Sequence, residues 1–398
     1  MCRYLFNPHR QDNPTWTVDM TAPFESDDII AFHRLLPAYA PTPLVELPGL
    51  ADELGIGRLW VKDEAHRPGL KAFKVLGASY AIYKFLQAAY EKAFGNKLDI
   101  TEIRDLRPDR LGLDQYTFCT ATDGNHGRAV AWAARQFGHK AVIFVPTSTT
   151  TARKESILNE KARLVTVDGN YDDTVRKAAA EAEKTGWQII ADTAYPGYME
   201  IPRWIMAGYR TMFEEIDESM PDGKETSIDI VFIPAGVGSL AATAAWYYAN
   251  RPGDHSPHLV SVEPLEAAGL LASAESTDGT VQSSDGREDS MMAGLNCATP
   301  SLLAWPLIRD RFDLFLALPD HYTAEAMHRL YTPTRPDPRL VSGESGAAGL
   351  AGLMALLNSQ SLKAAHDRLE LNRNSSVLII NTEGDTDPDN FSRIISRR

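Results

Sequence analysis

IDIVFIPAGVGSLAATAAWYYA, residues 228–249, joins a buried strand to a helix through a glycine turn. The apolar run over 228–234 is short and rich in β-branched residues, which predicts a strand buried on both faces. Gly236 and Gly238 allow a tight turn, and the alanine-rich segment after them predicts a helix over 239–249. A buried strand that leads directly into a helix is the repeating unit of an α/β fold.

The same strand-to-helix alternation continues on both sides of this stretch. It predicts a mostly parallel sheet with helices on both faces, and ligand sites at the carboxyl ends of the strands. The predicted strands cover residues 59–62, 116–120, 141–146, 163–168, 187–192, 228–234, 259–263 and 376–381. The predicted helices include residues 171–184, 200–216, 239–249 and 344–357. Three segments interrupt the pattern and are interpreted as surface loops or insertions: 95–114, 273–290 and 332–338.

Composition limits the class of function. The 398 residues suffice for two domains or one large α/β unit, and the net charge of −13 argues against a nucleic-acid partner. Cys2, Cys119 and Cys297 lie far apart, which predicts neither a disulfide framework nor a zinc site. The first residues contain no apolar run typical of a signal peptide or a membrane span. We therefore expect a cytoplasmic protein with no nucleic-acid and no membrane partner.

GLKAFKVLGASYA, residues 69–81, places Lys74 in the first turn of another predicted helix. The positions three, four and seven residues later share its face, and they are glycine, alanine and alanine. This bare face predicts a shallow trough in which a flat ligand lies against the backbone. The structural alternative is a lysine that extends its amine to water from an amphipathic helix.

ATDGNHGRAVAW, residues 121–132, forms a second loop between a strand and a helix. Thr122 and Asp123 are cap-type residues, Gly124 permits a turn, and the helix is predicted over 125–137. The free backbone N–H groups at such a helix start suit a carboxylate or a phosphate. Simple helix capping is the alternative.

Two further strand ends carry loops that suit a ligand. The turn at 236–239 suits a phosphate, and a dinucleotide site, with Glu263 as the ribose ligand, is a weaker alternative. SSVLIINTEGDTDPDN, residues 375–390, ends a strand at Asn381 and places Thr382 directly after it. The carboxylates of this loop do not follow the EF-hand spacing, and no metal site is expected.

A lysine at a helix start, an anion-binding helix terminus, a glycine phosphate loop and a strand-end hydroxyl are the parts that hold pyridoxal phosphate. FKVLGA (73–78) resembles the Schiff-base lysine motif of the fold-type-II pyridoxal-phosphate enzymes, which include threonine dehydratase. TDGNHG (122–127) resembles their substrate loop. The family that the chain resembles more closely is diaminopropionate ammonia-lyase, from about residue 20 to the C-terminus. Four motifs carry this closer resemblance: TATDGNHGRAVAW, DTAYPGYMEIPRWIMAGY, SGESGAAG and NTEGDTDP.

The resemblance implies which residues contact the cofactor. Lys74 forms the Schiff base, Asn125 hydrogen-bonds the pyridoxal 3′ oxygen, and Thr382 is the hydroxyl partner of the pyridine nitrogen. The phosphate loop comprises Gly236, Val237, Gly238 and Ser239. The superfamily often has four glycines in this loop, and the present chain has two.

The resemblance also implies substrate contacts and two acid/base residues. Asp123 stands where dehydratases commonly have a small residue, and Asp192 ends the predicted strand 187–192. Capping or turn formation is the structural alternative for both. His126 is expected to pack or hydrogen-bond rather than to act as a base. The substrate contacts are assigned to Thr122, Asp123, Gly124, Asp192 and Tyr195.

Together these observations predict an α/β fold of the fold-type-II (tryptophan synthase β-like) class. Two lobes with mostly parallel sheets flanked by helices are expected, with the cofactor in the cleft between them. The large, discontinuous domain is predicted over 1–84 and 199–398, and the small domain over 85–198. By the resemblance, a homodimer catalyses the α,β-elimination of 2,3-diaminopropionate, which yields pyruvate and two ammonia molecules. The alternatives are a serine or threonine dehydratase of the same fold, a pyridoxal-phosphate-binding protein without turnover and, more distantly, a nicotinamide oxidoreductase.

Overall fold

The computed structural model describes residues 1–37, 39–99, 105–122, 124–221, 227–251 and 256–397. The chain divides into two compact units. Unit 1 comprises Met1–Thr21, Pro41–Arg67 and Met212–Arg398, and unit 2 comprises Ala22–Ala40 and Pro68–Thr211. The domain bounds predicted from the sequence, 1–84 with 199–398 and 85–198, stay a prediction.

Every strand predicted from the sequence is present, although the predicted strand 187–192 is reduced to two residues. The sequence pattern does not predict three of the observed strands, Arg3–Phe6, Leu44–Glu46 and Leu314–Leu318. In chain order the strands are β1 (Arg3–Phe6), β2 (Leu44–Glu46), β3 (Arg58–Asp63), β4 (Thr117–Ala121), β5 (Lys140–Pro146), β6 (Arg163–Val167), β7 (Gln188–Ile189), β8 (Ile230–Pro234), β9 (His258–Pro264), β10 (Leu314–Leu318) and β11 (Ser376–Asn381).

The predicted helices are also present, with ends that shift by a few residues. In the described part of the chain, no helix has the length and apolar content that crossing a membrane requires. The helices are α1 (Val18–Thr21), α2 (Asp28–Leu35), α3 (Pro48–Leu54), α4 (Lys74–Phe94), α5 (Pro108–Leu111), α6 (Asn125–Gln136), α7 (Thr151–Asn159), α8 (Tyr171–Thr185), α9 (Glu200–Ser219), α10 (Ser239–Asn250), α11 (Gly269–Glu275), α12 (Ala304–Arg311), α13 (Asp320–Tyr331), α14 (Ala348–Asn358), α15 (Lys363–Arg368) and α16 (Pro388–Ile395).

Unit 1 is built on a seven-stranded sheet, counted over its described residues, in the order β1-β10-β9-β8-β11-β3-β2. The inner strands pair in parallel, and the two edge strands, β1 and β2, pair antiparallel. β8, β10 and β11 are buried along their whole length, as expected for central strands covered on both faces. Helices α10 and α14 both pack against β8. The prediction of a mostly parallel sheet is confirmed.

Unit 1 also encloses a group of ion pairs without contact to solvent. The Lys62 ammonium lies 2.7 Å from the Glu215 carboxylate, and the Arg67 guanidinium contacts both Glu215 and Glu64 at 2.7 Å. Thr42 completes the group, because its hydroxyl donates to Glu64 and its carbonyl accepts from Lys62. These side chains are between 0% and 2% exposed. Burial alone raises the pKa of Glu215, but the positive charges of Arg67 and Lys62 bring that pKa below its ordinary value.

Unit 2 contains a four-stranded parallel sheet, counted over its described residues, in the order β6-β5-β4-β7. Helices α6 and α8 both pack against β4 and β5. Helix α4 packs against α6. The carboxyl end of β4 leads into α6, and Arg128 of α6 contacts the loop before α4. The loops that precede α4 and α6 therefore lie close together.

The bare face of α4 is covered by another helix, so the predicted trough for a flat ligand is wrong. A Cβ atom at Gly77 would lie 2.7 Å from the carbonyl oxygen of Ile205 and 2.7 Å from the ring of Tyr209, both on α9. On the opposite side of this crossing, a Cβ atom at Gly208 would lie 2.6 Å from the Leu76 carbonyl oxygen. The close crossing of α4 and α9 thus requires the small residues of α4. A helix crossing and a ligand groove both select small residues on one helix face, so the sequence alone does not distinguish them.

Candidate active site

Lys74 is the first residue of α4, as the sequence predicts. The preceding loop is anchored by buried side chains of Leu70 and Phe73. Arg128 of α6 donates hydrogen bonds to the carbonyl oxygens of Gly69 (2.8 Å) and Leu70 (3.2 Å) in the same loop. The Lys74 side chain is 18% exposed, so its amine sits at the edge of the protein interior.

Lys74 and Asp192 form the central contact of the site, within unit 2. Lys74 Nζ donates a hydrogen bond of 2.5 Å to Asp192 Oδ2, and the Asp192 side chain is 14% exposed. Burial alone raises the pKa of Asp192, but the Lys74 ammonium outweighs burial and holds that pKa well below its usual range. The structure thus joins two sequence-predicted residues, and it keeps the carboxylate ionised at neutral pH.

Asp192 follows β7 and is positioned by the tight turn after it. Tyr195 and Tyr198 face each other across this turn through paired backbone hydrogen bonds of 3.3 and 2.8 Å, and their rings stack 5.0 Å apart. The Tyr198 hydroxyl donates to the Ile189 carbonyl and accepts from the Ala191 N–H, next to Asp192. Tyr195 is 41% exposed, which leaves its ring accessible as a surface for a small molecule.

The loop before α6 is organised by Thr122. Its hydroxyl oxygen accepts hydrogen bonds from the backbone N–H groups of Gly124 (3.0 Å) and Gly127 (3.1 Å). Thr122 is 4% exposed, so its side chain holds the loop together. Asn125 is the first residue of α6 and is half-buried. Asp123, the other predicted acid/base residue, lies outside the described residues.

In unit 1, the turn 236–239 connects β8 to α10. Gly238 occupies the N-cap position of α10 with a φ of +94°, a left-handed conformation that favours glycine. Because glycine has no side chain, the N-cap residue supplies no acceptor for the first N–H groups of α10. Ser239 begins the helix and is 3% exposed. Backbone N–H groups with a hydroxyl at a helix start form a donor set suited to a phosphate.

Thr382 follows β11 in unit 1 and is 4% exposed. The Asn381 side chain before it donates to Asp63 (2.7 Å) and to the Val341 carbonyl. Glu383 after it accepts from the Ser345 N–H (3.0 Å). The two motifs NTEGDTDP and SGESGAAG are therefore fastened to each other, and Thr382 has buried, fixed neighbours on both sides.

The sequence did not predict roles for Arg128 and Tyr209, and it predicted that His126 packs or hydrogen-bonds without placing it beside Asp192. Arg128 holds the lysine loop, as described above. His126 lies with Nδ1 3.9 Å from Asp192 Oδ2 and is 6% exposed. Tyr209 is fully buried against Phe73, with ring centroids 4.8 Å apart, and its hydroxyl has no hydrogen-bond partner among the described residues. All three occur inside motifs that carry the family resemblance, which was the only available signal.

The described residues contain no group of three or more His, Cys, Asp or Glu side chains placed to hold a metal ion. What the site of unit 2 offers is an amine, an ionised carboxylate and buried polar atoms around them. A lysine amine is a nucleophile toward carbonyl groups, and a carboxylate held ionised accepts protons at neutral pH. Unit 1, taken by itself, offers a phosphate-type donor set at the turn 236–239 and the buried hydroxyl of Thr382.

Comparison with known proteins assigns the chain to a family. Residues 35–382 match the family of pyridoxal-phosphate dependent enzymes. The diaminopropionate ammonia-lyase of Salmonella typhimurium is 38% identical, over 99% of this chain and 98% of that protein. The Escherichia coli diaminopropionate ammonia-lyase, solved with an aminoacrylate-PLP azomethine reaction intermediate, superposes with a TM-score of 0.88 at 35% identity, over 100% of this chain and 97% of that chain.

A more distant structure has the same fold. The processed form of threonine deaminase isoform 2 from Solanum lycopersicum superposes with a TM-score of 0.73 at 19% identity, over 100% of this chain and 98% of that chain. The predicted fold-type-II architecture is thus confirmed. The chain belongs to the pyridoxal-phosphate-dependent enzymes and, among them, to the diaminopropionate ammonia-lyase family.

Proposed function

We propose that the chain catalyses the pyridoxal-phosphate-dependent α,β-elimination of 2,3-diaminopropionate to pyruvate and two ammonia molecules. The observation that carries the proposal is the 2.5 Å hydrogen bond between Lys74 Nζ and Asp192 Oδ2. It combines the nucleophile and the proton acceptor that such an elimination requires. Two relatives that align over nearly the full chain are named diaminopropionate ammonia-lyase.

Each unit contains residues whose chemistry suits a part of pyridoxal phosphate. In unit 2, Lys74 would bind the aldehyde carbon and Asn125 the 3′ oxygen. In unit 1, the side-chain-free N-cap at Gly238 and the buried Ser239 suit the phosphate, and Thr382 suits the ring nitrogen. When bound, pyridoxal phosphate supplies an electron sink for negative charge at the substrate α-carbon. Thr382 is neutral, and a neutral hydroxyl beside the ring nitrogen favours elimination over transamination.

Asp192 is the residue that we assign to proton transfer. The Lys74 ammonium keeps the pKa of Asp192 low, so Oδ2 is ionised at neutral pH. Asp192 becomes a stronger proton acceptor once Lys74 loses its positive charge. The same contact lets a proton pass between Asp192 Oδ2 and Lys74 Nζ. The β-amino group must leave with an added proton, and this connected pair can deliver one. Asp123 remains the second acid/base residue of the proposal.

The remaining predicted contacts concern the substrate. The exposed ring of Tyr195 lies three residues after Asp192, where a small amino acid can pack against it. Thr122 and Gly124 shape the loop at the start of α6, whose N–H groups suit the substrate carboxylate. A carboxylate near the β-position favours a β-ammonium over the neutral hydroxyl of serine by roughly 1.5–3 kcal/mol.

Two properties of the whole protein belong to the same proposal. We propose a homodimer, on the family resemblance. We also propose a cytoplasmic location, which fits the three cysteines, Cys2, Cys119 and Cys297, because none of them forms a disulfide.

Product counting tests the proposed reaction. Purified enzyme loaded with pyridoxal phosphate is given 2,3-diaminopropionate, serine or threonine at equal concentration, and ammonia and oxoacid are measured. We expect 2,3-diaminopropionate to react fastest, with two ammonia molecules for each pyruvate. Faster turnover of serine or threonine, with one ammonia for each oxoacid, would make the protein a dehydratase. Bound cofactor without turnover of any of the three would make it a binding protein.

A further inference from the structure

His126 has a defined tautomer in this structure. Its Nε2 lies 2.7 Å from the carbonyl oxygen of Ile190, and a carbonyl oxygen can only accept, so Nε2 carries the hydrogen. In the neutral ring, Nδ1 is then an acceptor. Nδ1 is buried and has no hydrogen-bond partner among the described residues. A buried acceptor without a donor is costly and requires an explanation.

This acceptor faces Asp192, with Nδ1 3.9 Å from Oδ2. This distance is too long for a hydrogen bond, as expected for two acceptors that face each other without a proton between them. A charged imidazole would instead donate to the carboxylate. Burial lowers the pKa of His126, and the Lys74 ammonium lowers it further while Asp192 opposes both, so the ring is neutral.

We propose that His126 is a positioning residue whose Nδ1 accepts a hydrogen bond from the carboxyl group of Asp192 whenever that group carries a proton. The inference rests on the proposed function, which gives Asp192 a proton to carry. When the substrate C–H bond breaks, the electron pair stays at the α-carbon and the proton binds an Asp192 oxygen. The new O–H group is a donor, and a shift of about 1 Å brings Nδ1 within hydrogen-bond distance. The proton does not pass from Asp192 to His126, and no N–H bond forms at Nδ1.

Two substitutions of His126 separate this role from a structural one. His126→Gln can place an amide N–H where Nε2 is, so it keeps the hydrogen bond to Ile190 and loses the acceptor near Asp192. His126→Asn can place its amide oxygen where Nδ1 is, so it keeps the acceptor and loses the bond to Ile190. We expect His126→Gln to retain its thermal stability but lose about ten-fold in kcat with little change in KM. We expect His126→Asn to be less stable and yet faster than His126→Gln. The reverse order of kcat would overturn the proposal.

A second measurement requires neither substrate nor turnover. In an Asp192→Asn variant, the amide N–H stands in for the O–H of the protonated acid. We expect its crystal structure to show the amide within about 3.2 Å of His126 Nδ1. A separation that stays near 3.9 Å in this variant would overturn the proposal. If the wild-type protein does not turn over 2,3-diaminopropionate, the proposed function fails, whereas this crystallographic distance still decides the role of His126.

Discussion

At the scale of single residues, the strongest prediction concerns the covalent attachment of the cofactor. Borohydride reduction of the loaded wild-type protein should leave the cofactor on the peptide that contains Lys74. Lys74→Ala should lose this label, because only an amine can form the bond. Mass spectrometry of the digested protein measures both outcomes.

Lys71 provides the matched control for this experiment. It lies three residues before Lys74 and is exposed, so Lys71→Ala should keep the label. Lys62 is an unsuitable alternative, because it is fully buried in an ion pair with Glu215. If the label in the wild-type digest is found on Lys71 and not on Lys74, the assignment of Lys74 is wrong.

At the scale of secondary-structure elements, the crossing of α4 and α9 gives a prediction with a clear sign. Alanine has a higher helix propensity than glycine by about 1 kcal/mol, so an unconstrained Gly77→Ala change would stabilise the protein. The neighbouring atoms at 2.7 Å instead predict destabilisation by about 1–3 kcal/mol, because backbone of α9 must move. Chemical denaturation of the cofactor-free protein measures the difference.

Ala88→Gly serves as the control in the same helix. Ala88 is exposed on α4, so its replacement reports helix propensity without packing and should cost about 1 kcal/mol. If Gly77→Ala stabilises the protein by the amount that Ala88→Gly destabilises it, the crossing imposes no steric limit and our account of the bare face is incorrect.

Elements with strong local signals could be predicted from the sequence, and contacts between distant residues could not. The periodic pattern after residue 73 and the cap-type residues before Asn125 correctly predict the starts of α4 and α6. The contact between Lys74 and Asp192 spans 118 residues, and no local pattern encodes it. Only the family resemblance indicated both residues. The acceptor role of His126 depends on the carbonyl of Ile190, a backbone atom that is identical for every residue type.

At the scale of the whole molecule, buried histidine makes the stability depend on pH. His139 accepts a hydrogen bond from the Tyr116 N–H at Nδ1, and burial lowers its pKa to about 4. The unfolded chain binds this proton near pH 6.5, before the folded protein does. The contribution of His139 to the free energy of unfolding is therefore fully present above about pH 6.5. It falls as the pH decreases from 6.5 toward 4, by about 1.4 kcal/mol per pH unit.

His139→Asn should reduce this dependence, because its amide oxygen can replace Nδ1 as the acceptor and does not titrate. Melting temperatures of both proteins at pH 7.5 and pH 5 provide the measurement. We expect a smaller decrease for the variant, with part of the decrease remaining because His126 is also buried and neutral. An equal decrease in both proteins would contradict the role given to His139.

The buried ion pairs of unit 1 restrict the paths that mutation can follow. Lys62, Arg67, Glu64 and Glu215 balance one another, so replacing any one of them leaves an opposite charge uncompensated in the interior. Such a loss costs roughly 3–5 kcal/mol, a large part of the ~5–15 kcal/mol that typically separates folded from unfolded protein. An apolar replacement of the whole group can be neutral or stabilising, but every single step toward it passes through a destabilised protein. We therefore expect these four positions to change together or not at all.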